Sequence, residues 1–240
     1  MPNRFDVATG SSNSDDVPQP EAVELPTDRT VLVVVDMQNE FVSPEGRIYT
    51  GSMVHGTIPK IKNLLDLARR DGMNVIHTQS WYEKDDPRFS DHPKAKFEKG
   101  GCMAGSWGAE IIDDLKPLGR EPVVRKSSYD CFFGTIMDHV LDELNFGEYA
   151  PGSVHRNRER NDASAIITGT VSNVCVEKAV IGFYLRGFDV VVPVDCISAK
   201  SAYAQQWALH QFSEFYGGRI TRSDLLEFRK LEHPTVKSSP

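Results

Sequence analysis

The 240-residue chain has no apolar run long enough to cross a bilayer, which excludes a membrane-spanning helix. Positive charge is not in excess either. A formal net charge of -7 and a pI near 5.5 disfavour nucleic acid or an anionic membrane as the main partner. The opening segment MPNRFDVATGSSNSDDVPQP contains no apolar stretch of signal-peptide type, so the expected location is the cytoplasm. Cysteine is sparse and scattered. Cys102, Cys131, Cys175 and Cys196 form no CxxC pair and no zinc spacing, and they read as free thiols. No internal repeat is visible. What remains is the make-up of a soluble globular protein, 40% hydrophobic and 25% charged, with the length of one sizeable α/β domain.

Residues 1–28 are rich in Ser, Asp, Asn and Pro and read as a flexible tail; residues 29–230 form the domain, and 231–240 a second tail. The run Val31 to Val35 is apolar on both faces, as a buried parallel strand should be. Ile58, Ile61, Leu64, Leu65 and Ala68 recur at helical spacing and Gly72 supplies a stop. NVIHTQ, Pro122 to Arg125, SAIITG, FDVVVPV and GRIT read as further strands. Helices are expected over AEIIDDL, after a capping pattern at Thr135 and Asp138, from Cys175 to Arg186, from Ala202 to Phe215, and near Ser223 to Arg229. Two irregular stretches interrupt this order: Ser80 to Gly108, holding Trp81 and Trp107, and the polar insertion Gly147 to Asp162. Alternation of strand and helix implies an α/β fold with a mainly parallel sheet. In such sheets ligands bind at the carboxyl ends of the strands.

Three chemically distinctive residues stand at those ends. Asp36 closes the first strand, Lys126 closes the third, and Cys175 lies at the turn from the fourth into a helix. Singly, each has an ordinary reading: a capping carboxylate, a rim lysine, a small core thiol. Together they supply a nucleophile, a base and a partner for the base. A thiol at a helix N-terminus is favoured as thiolate by the helix dipole. A carboxylate can take the thiol proton and return it to a leaving nitrogen. The lysine keeps that carboxylate anionic and oriented.

The segments VVVDMQNEF, RKSSYDCFF and GTVSNVCVE resemble, in order and context, the three motifs of the isochorismatase-like cysteine hydrolase superfamily. The resemblance spans roughly Thr30 to Phe228. It implies a three-layer α/β/α fold with a six-stranded, mainly parallel sheet, and a catalytic triad of Asp36, Lys126 and Cys175. It also implies a non-proline cis peptide at Thr170-Val171, with the N–H groups of Val171 and Cys175 forming an oxyanion hole. Phe41 and Phe133 fall at the family's pocket positions. Asn39, Trp81, Trp107 and Tyr129 are further candidates for substrate contact, the two tryptophans by their loop alone.

Among the family's reactions, cleavage of a vinyl ether does not need the thiol, so Cys175 points to C–N bond cleavage. Nicotinamidases carry an Asp-x-His metal pair after the second strand. Here that stretch reads SWYEKDD, with His92 alone nearby, and no catalytic metal or cofactor is expected. SNVCVEKAVIGFYLRGFDVVV and AYAQQWALHQFSEFYG are most similar to ureidoacrylate amidohydrolases. The expected activity is hydrolysis of a small amide, ureido or N-carbamoyl compound. Isochorismatase or nicotinamidase activity, and a binding module with a vestigial triad, are the alternatives. A homo-oligomer is expected, with Phe183, Tyr184, Phe215 and Tyr216 as candidate contacts.

Overall fold

The structure, a computed structural model, describes residues 18–84, 100–147 and 162–230. Its order is β1 (Val23–Pro26), β2 (Thr30–Val35), α1 (Asn39–Val42), α2 (Met53–Asp71), β3 (Asn74–Ser80), β4 (Val123–Lys126), α3 (Met137–Glu143), β5 (Ser164–Thr170), α4 (Glu177–Leu185), β6 (Asp189–Pro193), β7 (Ile197–Ser198), α5 (Ala202–Tyr216), β8 (Arg219–Thr221) and β9 (Leu226–Arg229). The main sheet runs β4-β3-β2-β5-β6-β8, with the short β7 beside β5 as a seventh strand. Every pairing in it is parallel.

Parallel strands must bury both faces, and the β2 sequence TVLVVV does so without exception. Its alternation assigns the layers. Val31, Val33 and Val35 join one core with residues of α3, α4 and α5, including Val140, Val180, Phe183 and Phe212. Leu32 and Val34 join the other with Ile61, Leu64, Leu65 and Ala68 of α2. Full burial of such a side chain is worth about 1.5–3 kcal/mol, so both layers hold β2 at the centre. The strand order reverses between β2 and β5: β3 and β4 lie on one side, β6 and β8 on the other. That switch point is where a crevice opens in this class of sheet.

Three local expectations give way to tertiary contacts. AEIIDDL forms no α-helix; it holds the end of one 3-10 turn and all of a second, Asp113–Leu115. Between them Ile111 bridges Gln38, and the N–H of Ile112 donates to Met37 O, so this backbone is spent on the segment after β2. Ser223 to Arg229 is a 3-10 turn followed by β9 rather than a helix. Its partner is β1, inside the stretch expected to be a tail: Val23 and Leu25 are buried, and the two strands pair in parallel. The helix expected from Cys175 begins only at Glu177, after a single π-helical turn over Ser172–Val176. Of the 147–162 insertion, residues 148–161 lie outside the described residues, as do 85–99 of the long loop, His92 among them. Among the described residues no helix is long and apolar enough to cross a membrane.

Candidate active site

The site lies at the switch point. Asp36 follows β2 in a left-handed conformation, φ 52°, which turns the chain out of the sheet. Asp adopts this region more readily than most residues, and such outliers gather at functional sites. Register places Val35 beside Thr78 of β3, and Ser80 beside Lys126 of β4. Side chains from three adjacent strands therefore meet at one edge.

Asp36 and Lys126 form an ion pair at 2.7 Å with both side chains wholly out of solvent. A buried pair is tolerable only if its remaining polar atoms are satisfied, and here many are. Asp36 Oδ1 accepts from Thr78 Oγ1 at 2.7 Å; Oδ2 accepts from Lys126 Nζ and from Ser80 Oγ at 3.0 Å. Lys126 Nζ donates further to Ser128 O at 3.1 Å and lies 3.5 Å from Cys175 Sγ. Burial alone would push the ammonium down. The Coulombic interactions with Asp36 and Cys175 and the hydrogen bond to Asp36 outweigh it, so Lys126 is held above its usual range.

Cys175 is buried within the π-helical turn that leads into α4. The Thr170-Val171 peptide before it is cis. Val171 O receives the N–H groups of Val174 at 2.9 Å and Val176 at 3.3 Å. Burial pushes the other two core thiols of interest, Cys131 and Cys196, well above the ordinary range, which disfavours both as thiolates.

The six substrate-contact candidates separate. Phe41 is buried in the α2-side core, whereas Cys175 belongs to the opposite one. Asn39 Nδ2 donates to Trp107 O at 2.9 Å, tying α1 to the long loop. Trp81 carries the Arg125 guanidinium 3.8 Å above its ring, and its Nε1 donates to Glu83. Trp107, Tyr129 and Phe133 stand exposed. Trp107 borders a cavity of about 270 Å³ shared with Glu40, Glu45, Arg47, Met103 and Ser106; none of Asp36, Lys126 and Cys175 lines it. Among the described residues no group of three or more His, Cys, Asp or Glu could hold a metal ion.

Sequence reading missed the residues that hold Asp36 and its neighbours in place. Thr78 and Ser80 bind Asp36 directly. Gln38 braces the same edge: Nε2 donates to Ser80 O and Ala109 O, and Oε1 accepts from Ser80 N. Glu40, buried, accepts the N–H of Arg47 at 2.6 Å and of Cys102 at 3.3 Å, which seats the loop against α1. The available signal was two hydroxyl residues, Thr78 and Ser80, at period two at the end of the strand NVIHTQS.

The fold is α/β, and the candidate site stands at the carboxyl edge of its parallel sheet. More particularly, the chain belongs to the isochorismatase family: residues 30–224 match the Isochorismatase domain. It is 29% identical over 219 residues to the ureidoacrylate amidohydrolase RutB of Cronobacter sakazakii, covering 83% of this chain and 88% of that protein. Among solved structures it is similar to an isochorismatase family protein from Desulfovibrio vulgaris, with a TM-score of 0.67, 27% identity, and 82% and 95% of the two chains covered. It also resembles the N-carbamoylsarcosine amidase of Thermoplasma acidophilum, with a TM-score of 0.62, 25% identity, and 82% and 97% covered.

Proposed function

We propose that this isochorismatase-family hydrolase is a cysteine-dependent amidohydrolase that cleaves a C–N bond of a small ureido, N-carbamoyl or carboxamide compound. The observation that carries the reading is the position of Lys126. Its ammonium sits 2.7 Å from Asp36 and 3.5 Å from Cys175, out of solvent, at the entrance to α4. There a thiolate is favoured by the neighbouring cation and by the helix dipole. The relatives named for ureidoacrylate and N-carbamoylsarcosine hydrolysis support the substrate class.

In the proposed reaction Asp36 takes the Cys175 proton and the thiolate attacks the substrate carbonyl. Backbone N–H groups of Val171 and Cys175 bind the oxyanion. Asp36 returns the proton to the leaving nitrogen as the C–N bond breaks, leaving a thioester or thiocarbamate on Cys175. Water, deprotonated by Asp36, then releases the acid and restores the thiol. Lys126 holds Asp36 in place throughout and keeps it anionic whenever it must accept a proton.

Ammonia release across a panel of ureido, carbamoyl and carboxamide compounds identifies the substrate. Intact-protein mass spectrometry during turnover then tests the nucleophile. The expected adduct maps to Cys175, and Cys175→Ala forms none. Cys175→Ser loses nearly all turnover because an alkoxide is far harder to form than a thiolate. Asp36→Asn is inactive because an amide cannot accept and return the proton. Normal turnover by Cys175→Ala, or an adduct on Cys102, Cys131 or Cys196, overturns the reading.

A further inference from the structure

Gln205 lies in the first turn of α5, outside the Asp36–Lys126–Cys175 cluster, and its amide is committed at both ends. Its Oε1 accepts from Ser172 Oγ at 2.7 Å, and its Nε2 donates to Ile197 O at 3.2 Å. Ser172 is fully buried and opens the π-helical turn that ends at Val176; Ile197 begins β7, which pairs with the end of β5 at Gly169 and Thr170. One side chain thus joins the turn bearing the thiol to the strand beside it. Two more bonds tie β5 to β7 at the same level: Thr170 Oγ1 donates to Ser198 O at 3.3 Å, and Ser198 Oγ to Thr170 Oγ1 at 3.1 Å. The helix end is itself fixed. Ser201 caps α5 by accepting from Ala204 N, and Gln205 N donates to Ser201 O.

From this geometry we infer that Gln205 is a positioning residue that acts through Ser172 to aim the Val171–Cys175 backbone at the reacting carbonyl. The inference rests on the reading of Cys175 as nucleophile. Its physical basis is the shape of the turn. Residues 172–176 form a single π turn with a non-helical Asn173 (φ -91°, ψ 19°), so the regular hydrogen bonds of an α-helix do not hold it. Side-chain bonds supply the missing restraint. An oxyanion donor must lie within a few tenths of an ångström of its target, and loosening such a support costs rate rather than binding.

Two thiol probes separate positioning from folding. 4-Nitrophenyl acetate acylates a thiol through a tetrahedral oxyanion, whereas iodoacetamide alkylates it by displacement with no oxyanion. With Gln205→Leu, which removes both bonds at similar volume, the acylation rate is expected to fall about tenfold to a hundredfold. The alkylation rate and its pH profile should stay within about threefold. Ser172→Ala should reproduce this split, and the double variant should be no slower than Gln205→Leu alone, because that substitution already removes the bond to Ser172. Gln205→Glu, which keeps an acceptor for Ser172, should recover part of the acylation rate. An acylation rate within twofold of the parent, an equal fall in both probes, or additive losses in the double variant each overturn the inference. If Gln205→Leu does not fold, Ser172→Ala decides by the same criteria. Cys175→Ala is the separate control: labelling of that variant at the parent rate sinks the nucleophile itself, whereas loss of labelling there with no Gln205 effect sinks only the positioning role.

Discussion

Lys126 shows what a buried charge demands of its neighbours. Its side chain has no solvent exposure, and Asp36 at 2.7 Å is equally buried. Desolvating two ions is repaid only while both are present, so removing one leaves an uncompensated charge. Lys126→Met is therefore expected to cost about 3–5 kcal/mol in urea unfolding. Adding Asp36→Asn to that variant should restore most of the loss while activity stays absent. A double variant as unstable as Lys126→Met would show that the loss does not come from an unpaired Asp36 carboxylate. Thr78 and Ser80 belong to the same account. Their hydroxyls fill lone pairs of Asp36 that would otherwise be buried without donors. Asp36, Lys126 and Cys175 were legible in the chain because each stands at or just beyond a strand end in a distinctive motif. Thr78 and Ser80 were not, since a hydroxyl in a strand has no meaning until register sets it beside Asp36.

At the level of elements, the site depends on how closely β2 and β5 approach. Gly169 ends the register opposite Val35 with φ 109°, and a Cβ there would lie 2.1 Å from Val35 O. That atom is backbone of the central strand and cannot yield without parting the two strands that deliver Asp36 and Cys175. Gly72 also has positive φ, 73°, but a Cβ there meets nothing within 4 Å. Gly72→Ala should cost about 1 kcal/mol, the conformational penalty alone. Gly169→Ala should cost about 3 kcal/mol or more, clash added to conformation. Equal costs by thermal or urea unfolding would contradict this. The strands β2 to β6 and helices α2 and α5 were visible as apolar runs and periodic stripes. AEIIDDL and Ser223 to Arg229 were misjudged because their partners, Gln38 and β1, are remote in the chain. Local propensity loses to such pairing.

For the molecule as a whole, the exposed aromatics bear on the expectation of a homo-oligomer. Of the residues expected at an interface, Phe183 is core, packed edge-on against Phe132 and Phe188, and Tyr184 pairs with Tyr216. Phe215 is exposed, as are Tyr203 and Trp207, one turn apart on α5. Exposed aromatics grouped on one helix mark interaction surfaces. We propose that α5 contributes to a homo-oligomer. Light scattering should return a multiple of 26.8 kDa, and Trp207→Glu should reduce it. A monomeric mass at working concentration refutes the proposal.

By itself the sequence determined the class of fold, through runs and stripes whose periods are properties of strand and helix geometry. It also supplied the candidate reactive groups, because the presence of a thiol, a carboxylate and an ammonium near strand ends is a covalent fact. Only the tertiary structure decided that β1 and β9 pair across some 200 residues, and that the switch point falls between β2 and β5. Only it decided that Gln38, Thr78, Ser80 and Gln205 brace the site while Phe41 lies in the core. The reason is physical. A hydrogen bond between remote residues depends on distance in space, and distance along the chain carries no trace of it.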